Sequence, residues 1–299
     1  MLANDVQHHY IEDRDGNRIT EAMFQGRYYP AFPGVVERLE RLPELRARGD
    51  DIVICAYPKS GTHWTWEIVT MLMIGKAETI PQEKTEQFLE NVDQETLESQ
   101  PSPRVLNTHI LPDIYPPDLV RKKCKILRIQ RNPKDVMVSY YHHIKDRVMY
   151  GYEHGKWPAF FELCMSGNVE YGSWFDYVIA WKKFEDENPD VPILHLQYEN
   201  MIKDLSTAVE KIAGFLNVTA DKSLCDAIAH ACTFDNMKQS KAECYPKEKL
   251  ERWYKKEYNL YRKGIVGDWK NWFTDAQNEE FEKEFKRRLQ EAGISTKVE

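Results

Sequence analysis

Lysine, serine, glycine and threonine fall together in Tyr57-Pro58-Lys59-Ser60-Gly61-Thr62-His63-Trp64, between the apolar run Ile52–Ala56 and a helical run from Trp66 to Ile74. The first backbone N–H groups of a helix are unpaired and carry partial positive charge. A glycine-containing turn exposes them, and with a lysine alongside it receives an anion such as a phosphate. Taken alone, the same four residues also suit an ordinary strand-to-helix turn. They are not a Walker A loop, which needs Gly, four residues, Gly-Lys and then Ser or Thr. Here Lys59 precedes Ser60-Gly61-Thr62, and no glycine lies between Gly49 and Gly61. That order argues against a nucleoside triphosphatase.

Three further groups could do chemistry. His109 follows the apolar run Val105–Thr108, and an imidazole with an ordinary pKa of ~6.5 accepts a proton near neutral pH. Arg131-Asn132-Pro133-Lys134-Asp135 follows the run Lys125–Gln130, and Ser139 comes two turns later. Arg131 and Ser139 can offer a guanidinium fork and a hydroxyl to one phosphate, or Arg131 can form a surface salt bridge. Asp135 reads as a local cap or charge balance. In Tyr261-Arg262-Lys263-Gly264-Ile265-Val266-Gly267-Asp268-Trp269-Lys270, two basic residues meet two glycines that let backbone approach a ligand, which reads as an anion-gripping flap. Trp64 could stack on an aromatic base, whereas the other seven tryptophans, Trp253 among them, read as packing.

The elements that must position these groups are legible as alternating strands and helices. Strands are expected at 52–56, 105–108, 125–130 and 193–197. Helices are expected near 62–74, 133–150, 173–187, 204–216, 222–231 and 275–292. This alternation implies an α/β fold, a central parallel sheet flanked by helices, with ligands at the carboxyl ends of the strands. Asp15-Gly16-Asn17 marks a hairpin turn near the start. A calcium loop is not indicated there, because the glycine is misplaced and the later Glu is missing. No repeat or linker divides the chain, so a single domain spanning 1–299 is expected.

Forty-one Lys+Arg against 48 Asp+Glu give a net charge of −7, which disfavours non-specific nucleic-acid binding. An anionic ligand would therefore need cations gathered locally, as Lys59, Arg131, Arg262 and Lys263 could be. Apolar runs are too short to span a bilayer, and residues 1–10 lack a secretory pattern, so a cytoplasmic protein without membrane attachment is expected. Cys55, Cys124, Cys164, Cys225, Cys232 and Cys244 show neither Cys-x-x-Cys pairing nor zinc spacing. Reduced thiols and no metal are the expectation.

With these elements in order, the chain resembles the cytosolic sulfotransferases over nearly its whole length. Tyr57 to Thr62 is similar to that family's 5′-phosphosulfate loop, and Arg131 to Asp135 with Ser139-Tyr140-Tyr141 to its 3′-phosphate motif. Arg262-Lys263-Gly264 with Gly267-Asp268-Trp269-Lys270 is similar to its C-terminal signature. The resemblance implies a nucleotide-kinase-like sulfotransferase fold and transfer of a sulfuryl group from 3′-phosphoadenosine 5′-phosphosulfate (PAPS) to a hydroxyl or amine of a small acceptor. It implies that Lys59, Ser60, Gly61, Thr62 and the His63 position hold the 5′-phosphosulfate, with Trp64 on the adenine. Arg131, Ser139, Arg262, Lys263 and Gly264 would hold the 3′-phosphate, and Tyr198, Thr233, Phe234 and Met237 would line the adenine side. Catalytic roles fall to His109 as general base, with Lys59 and Ser139. His143 and Tyr171 would touch the acceptor, beneath a lid formed by residues 80–100.

Several positions depart from the family pattern. His63 replaces a second Thr, Asn107 replaces a Lys found in many phenol-specific members, and Cys232 replaces a small hydroxyl residue. His143 stands where relatives often carry Phe. A homodimer motif is represented by Lys270, Thr274 and Glu279, but Asp275 replaces its Val, which weakens that expectation. Two alternatives stay open: a retinol-dehydratase-like enzyme that passes through a transient sulfate ester, and a catalytically silent nucleotide or small-molecule binding protein.

Overall fold

Successive side chains of a strand point to opposite faces, so a strand that is apolar at every position must be covered on both. Ile52–Ala56 (β4) is such a strand, and it sits inside a parallel sheet with Val105–Thr108 (β5), Lys125–Gln130 (β6) and Ile193–Gln197 (β7), in the order β5-β4-β6-β7. Each of the four has the boundaries expected from the sequence. In the computed structural model, which describes residues 8–80, 82–244 and 261–294, Val53 and Cys55 join one core while Ile52, Ile54 and Ala56 join another. Trp253, residues 1–7 and the Cys244 side chain lie outside the described residues.

Helices fill the two faces. Thr62–Ile74 (α1) covers the Ile54 face, Pro133–Asp146 (α2) and Trp174–Glu187 (α3) the other. Leu205–Leu216 (α4) and Lys222–Ala231 (α5) pack beside α1, followed by Phe234–Cys244 (α6). Asp275–Glu291 (α7) lays Phe281, Phe285 and Leu289 on the α3 side. Their starts follow capping chemistry. Asn132, Ser173, Asp204 and Asp221 each accept from a backbone N–H of the first turn, and Thr274 forms a capping box with Gln277.

Three short antiparallel strands, His9–Glu12 (β1), Arg18–Phe24 (β2) and Arg27–Pro30 (β3), form a separate small sheet. The Asp13 carboxylate organises its first turn by accepting from the N–H groups of Asp15 at 2.9 Å and Asn17 at 2.8 Å.

Two expectations change. The helix expected over 133–150 ends at Asp146. Arg147 is extended, and Val148–Tyr150 forms one 3₁₀ turn that buries Tyr150 against His143. Within the segment expected as a lid, Lys84, Thr85, Phe88 and Asn91 line the cavity as part of its packed wall. Leu89 N–H donates to the Asn107 carbonyl at 3.1 Å, extending the β5 edge, and Lys84, Gln87, Phe88, Leu89 and Glu90 are all buried. Asn107 Nδ2 fixes this wall by donating to the carbonyls of Lys84 at 2.9 Å and Gln87 at 3.0 Å.

The entry to β5 is locked by an ion pair with both side chains fully buried. Arg104 Nε donates to Asp51 Oδ1 at 2.8 Å, and Nη2 to Oδ2 at 2.5 Å. Removing one member leaves a buried charge unpaired. Arg104→Met is expected to cost ~3–5 kcal/mol in urea denaturation, and Asp51→Leu added to it should recover much of that loss.

Candidate active site

The loop between β4 and α1 is built for backbone exposure. Lys59 is left-handed (φ 66°), a conformation that strains a residue with a Cβ, and Gly61 has φ 110°. A Cβ on Gly61 would lie 3.0 Å from the Tyr198 ring. No side chain caps α1, and the buried Thr62 hydroxyl has no hydrogen-bond partner. Both leave unspent polar groups where an anion would sit. Lys59 Nζ lies 3.5 Å from His143 Nδ1. Burial foremost, then repulsion from Arg147 and Arg131, brings the Lys59 ammonium down to about 7.

Arg131, at the tip of β6, donates from Nη1 to the Lys59 carbonyl at 2.9 Å, and its guanidinium lies 4.3 Å from the Tyr198 ring centroid. Its buried Nε has no partner. Trp64 is oriented by Nε1 donating to the Cys232 carbonyl at 2.8 Å and meets Tyr198 edge-on. Asp135 has a longer reach than a local cap: its carboxylate accepts from the N–H groups of Gly267 at 2.7 Å and Trp269 at 2.9 Å, clamping the C-terminal segment onto α2. Arg262 and Lys263 both pair with Asp268, at 2.6 and 2.7 Å. Burial raises the Asp268 carboxyl, but hydrogen bonds from Lys263, Asn271 and Arg262 outweigh it and hold the group near 2. Gly264 (φ 65°) admits the Phe234 ring so closely that a Cβ there would lie 2.2 Å from it.

His109 stands at the end of β5 with Nδ1 2.6 Å from the Ala56 carbonyl oxygen. A carbonyl only accepts, so Nδ1 carries the proton and Nε2 keeps its lone pair. The His109 backbone N–H donates to Glu90 Oε1 at 2.8 Å, and its ring meets the edges of Phe88 and Tyr171. Burial, then the charge of Lys84, holds the imidazole well below its usual value, against the Ala56 contact that favours the proton. The ordinary pKa assumed from sequence therefore does not hold in the unliganded protein. His143 is likewise pushed well down, by burial and then Lys59.

All of this lines one cavity of about 510 Å³. Lys59, Gly61, Thr62, His63, Trp64, Arg131, Ser139, Tyr198, Phe234, Met237, Arg262, Lys263 and Gly264 line it, as do His109, His143 and Tyr171. Two expected residues do not. Ser60 is buried and its N–H donates to the Tyr57 carbonyl, and exposed Thr233 spends its hydroxyl on the His230 carbonyl. Cys232 contributes a carbonyl to Trp64 and lies with its thiol 3.7 Å from Met71 Sδ, so its side chain serves packing.

Sequence reasoning missed Lys84, Arg147 and Glu170, which also line the cavity. Lys84 lay inside the segment read as a cover, Arg147 inside a helix drawn too long, and Glu170 beside Tyr171 with no signal of its own. Among the described residues, no group of three or more His, Cys, Asp or Glu is placed to hold a metal ion.

Known proteins of the same form carry related sequences. Mouse sulfotransferase 1B1 is 35% identical over 272 residues, covering 87% of this chain and 90% of its own. Human sulfotransferase 1E1 is 35% identical over 281 residues, covering 90% and 93%. The crystal structure of mouse sulfotransferase SULT7A1 complexed with PAP superposes with a TM-score of 0.75 at 32% identity, over 90% of this chain and 95% of that one. Retinol dehydratase, crystallised with androsterone and PAP, shares the fold at a TM-score of 0.76 and 19% identity, over 97% and 92%. The model of the sulfotransferase domain matches residues 49–293, so the chain belongs to the sulfotransferase family.

Proposed function

We propose that this sulfotransferase moves a sulfuryl group from PAPS to a hydroxyl of a small, largely apolar or aromatic acceptor, with His109 as general base. The observation that carries the reading is one continuous cavity lined by Lys59, Arg131 and His109. It joins an anion cradle to an imidazole with a free lone pair. PAPS supplies the sulfuryl group when bound, and PAP is what remains. The uncapped start of α1, the unpartnered Thr62 hydroxyl and the unpartnered Arg131 Nε fit its phosphates.

The chain's own residues divide the work. Gly61, Thr62, His63 and Lys59 hold the 5′ side, Arg131, Ser139, Arg262, Lys263 and Gly264 the 3′-phosphate, and Trp64, Tyr198, Phe234 and Met237 the adenosine. His109 Nε2 accepts the proton of the acceptor hydroxyl, and its Nδ1–H stays on Ala56, which fixes the ring's orientation. Lys59 Nζ stabilises charge growing on the leaving oxygen, a contribution on the order of 10²–10³ in rate for one preorganised donor. Phe88, Tyr171 and His143 wall the acceptor side, and His143 makes that wall more polar than Phe would.

We read the chain as one sulfotransferase domain. No described helix is long and apolar enough to cross a membrane. Cys55, Cys124, Cys164, Cys225 and Cys232 are buried and form no disulfide among the described residues, which suits a reducing cytosol. A homodimer through residues 270–279 would use exposed Lys270, Thr274 and Glu279. It would also have to take in the Asp275 carboxylate, which already sits favourably in the first turn of α7.

Radiolabelled transfer from PAPS to a panel of phenols and alcohols tests the reading, and a stable sulfate ester by mass spectrometry separates transfer from later loss of sulfate. His109→Ala is expected to bind PAP within ~3-fold of wild type by calorimetry while turnover falls ~10²–10⁴-fold. Equal losses in both would contradict the division of labour. Because Lys59 titrates near 7 in the free protein, PAP binding above that pH must first protonate it. Affinity should fall as pH rises from 7 to 9, where the phosphates are fully ionised (second pKa about 6). Binding should take up about one proton, read by calorimetry in buffers of different ionisation enthalpy.

A further inference from the structure

Lys84 and Arg147 also line the cavity, and neither is among the residues assigned above to the nucleotide. Lys84 is only 5% exposed, and its carbonyl is pinned by Asn107. Its ammonium lies 4.6 Å from the Phe88 ring centroid, and among the described residues it has no carboxylate within 4 Å. Phe88 is the ring that meets His109. Arg147 leaves α2 in an extended conformation and lines the same cavity, beside Met149 and Tyr150.

Glu90 attracts the Lys84 ammonium without forming an ion pair with it. Glu90 is committed, accepting from Thr108 Oγ1 at 3.0 Å and the His109 N–H at 2.8 Å, and burial raises it to about 7. Glu170 Oε2 accepts from the Tyr140 hydroxyl at 2.8 Å, and burial raises that carboxyl too, with Glu21 sharing its site. Burial brings the Lys84 ammonium down to about 7, against the attraction of Glu90 and with a smaller contribution from Arg147. A buried ammonium without a paired anion is unfavourable, and a ligand that brings the anion recovers that cost.

We propose that the acceptor carries a carboxylate or similar anion besides its hydroxyl, and that Lys84 and Arg147 are specificity-determining residues that hold it. This rests on the sulfuryl-transfer reading and narrows its substrate class. A phenol ending in a carboxylate fits the aromatic wall at one end and the two cations at the other.

The test compares para-hydroxyphenylacetate and para-hydroxyphenylpropionate with their amides, which keep the shape and lose the charge. Wild type is expected to favour the carboxylate of at least one pair by ~10-fold or more in kcat/KM, mostly through KM. Lys84→Met should reduce that ratio several-fold, and Lys84→Met with Arg147→Met should bring it near one. Lys84→Gln serves if the methionine variant does not fold. Equal kcat/KM for acid and amide in wild type overturns the proposal. So does a Lys84 variant that loses rate equally on both, which would make Lys84 a general electrostatic group. Calorimetry of the same pairs, with and without PAP, reads the charge preference without turnover. No transfer even to naphthol would therefore sink the sulfuryl-transfer reading, while the binding ratio still decides this one.

Discussion

The hydrogen bond from Arg131 to the carbonyl of Lys59 is the constraint on which the rest of the site depends. β4 and β6 are parallel neighbours, so the loops that follow them leave the same edge, and this contact fixes how far apart those loops stand. The residue whose carbonyl accepts it, Lys59, has the left-handed conformation of the loop that leads into α1. Cations held a few ångströms apart repel by ~4 kcal/mol at an effective dielectric of 20, in a chain whose overall charge is −7. Sheet register, a backbone carbonyl and the Tyr198 ring beneath the guanidinium offset that repulsion without placing a carboxylate in the cradle.

Acids organise the site from its rim. Asp135 holds the C-terminal segment by two backbone N–H groups, and its charge is spent on amides instead of on the cations that face the cavity. Asp268 stays ionised through the ordinary pH range and serves as counter-ion to Arg262 and Lys263. A phosphate arriving there would share those two cations with Asp268, so the carboxylate keeps them oriented before a ligand does.

How much of this was legible depended on the range over which each feature is determined. The four sheet strands could be read residue by residue because each is a short, β-rich run between turn signals, and β4, buried on both faces, has no polar position to blur its ends. The phosphate loop and Arg131 were legible because a strand tip, a turn and a helix start are contiguous in sequence. Thr233 shows the limit of that contiguity: it sits next to Cys232 and Phe234 at the cavity, yet its hydroxyl is spent on the His230 carbonyl. Lys84, Arg147 and the Asp135 clamp were illegible because they depend on packing across long separations. Asp135 meets a segment 132 residues away, and no local pattern encodes that meeting. Asn107 read as a lost charge, whereas its amide ties β5 to the very segment that carries Lys84.

The imidazole of His109 makes the two halves of the cavity interdependent. Burial and the charges of Lys84 and Lys59 disfavour the imidazolium, so the ring is neutral and a weak base while the cavity holds no anion. An anion beside Lys59 lowers the cost of that positive charge, and by linkage a protonated ring binds the anion more tightly in return. Base strength at His109 is therefore set by what occupies the cradle. An anion held beside Lys59 would raise the proton affinity of the imidazole, against the burial that lowers it.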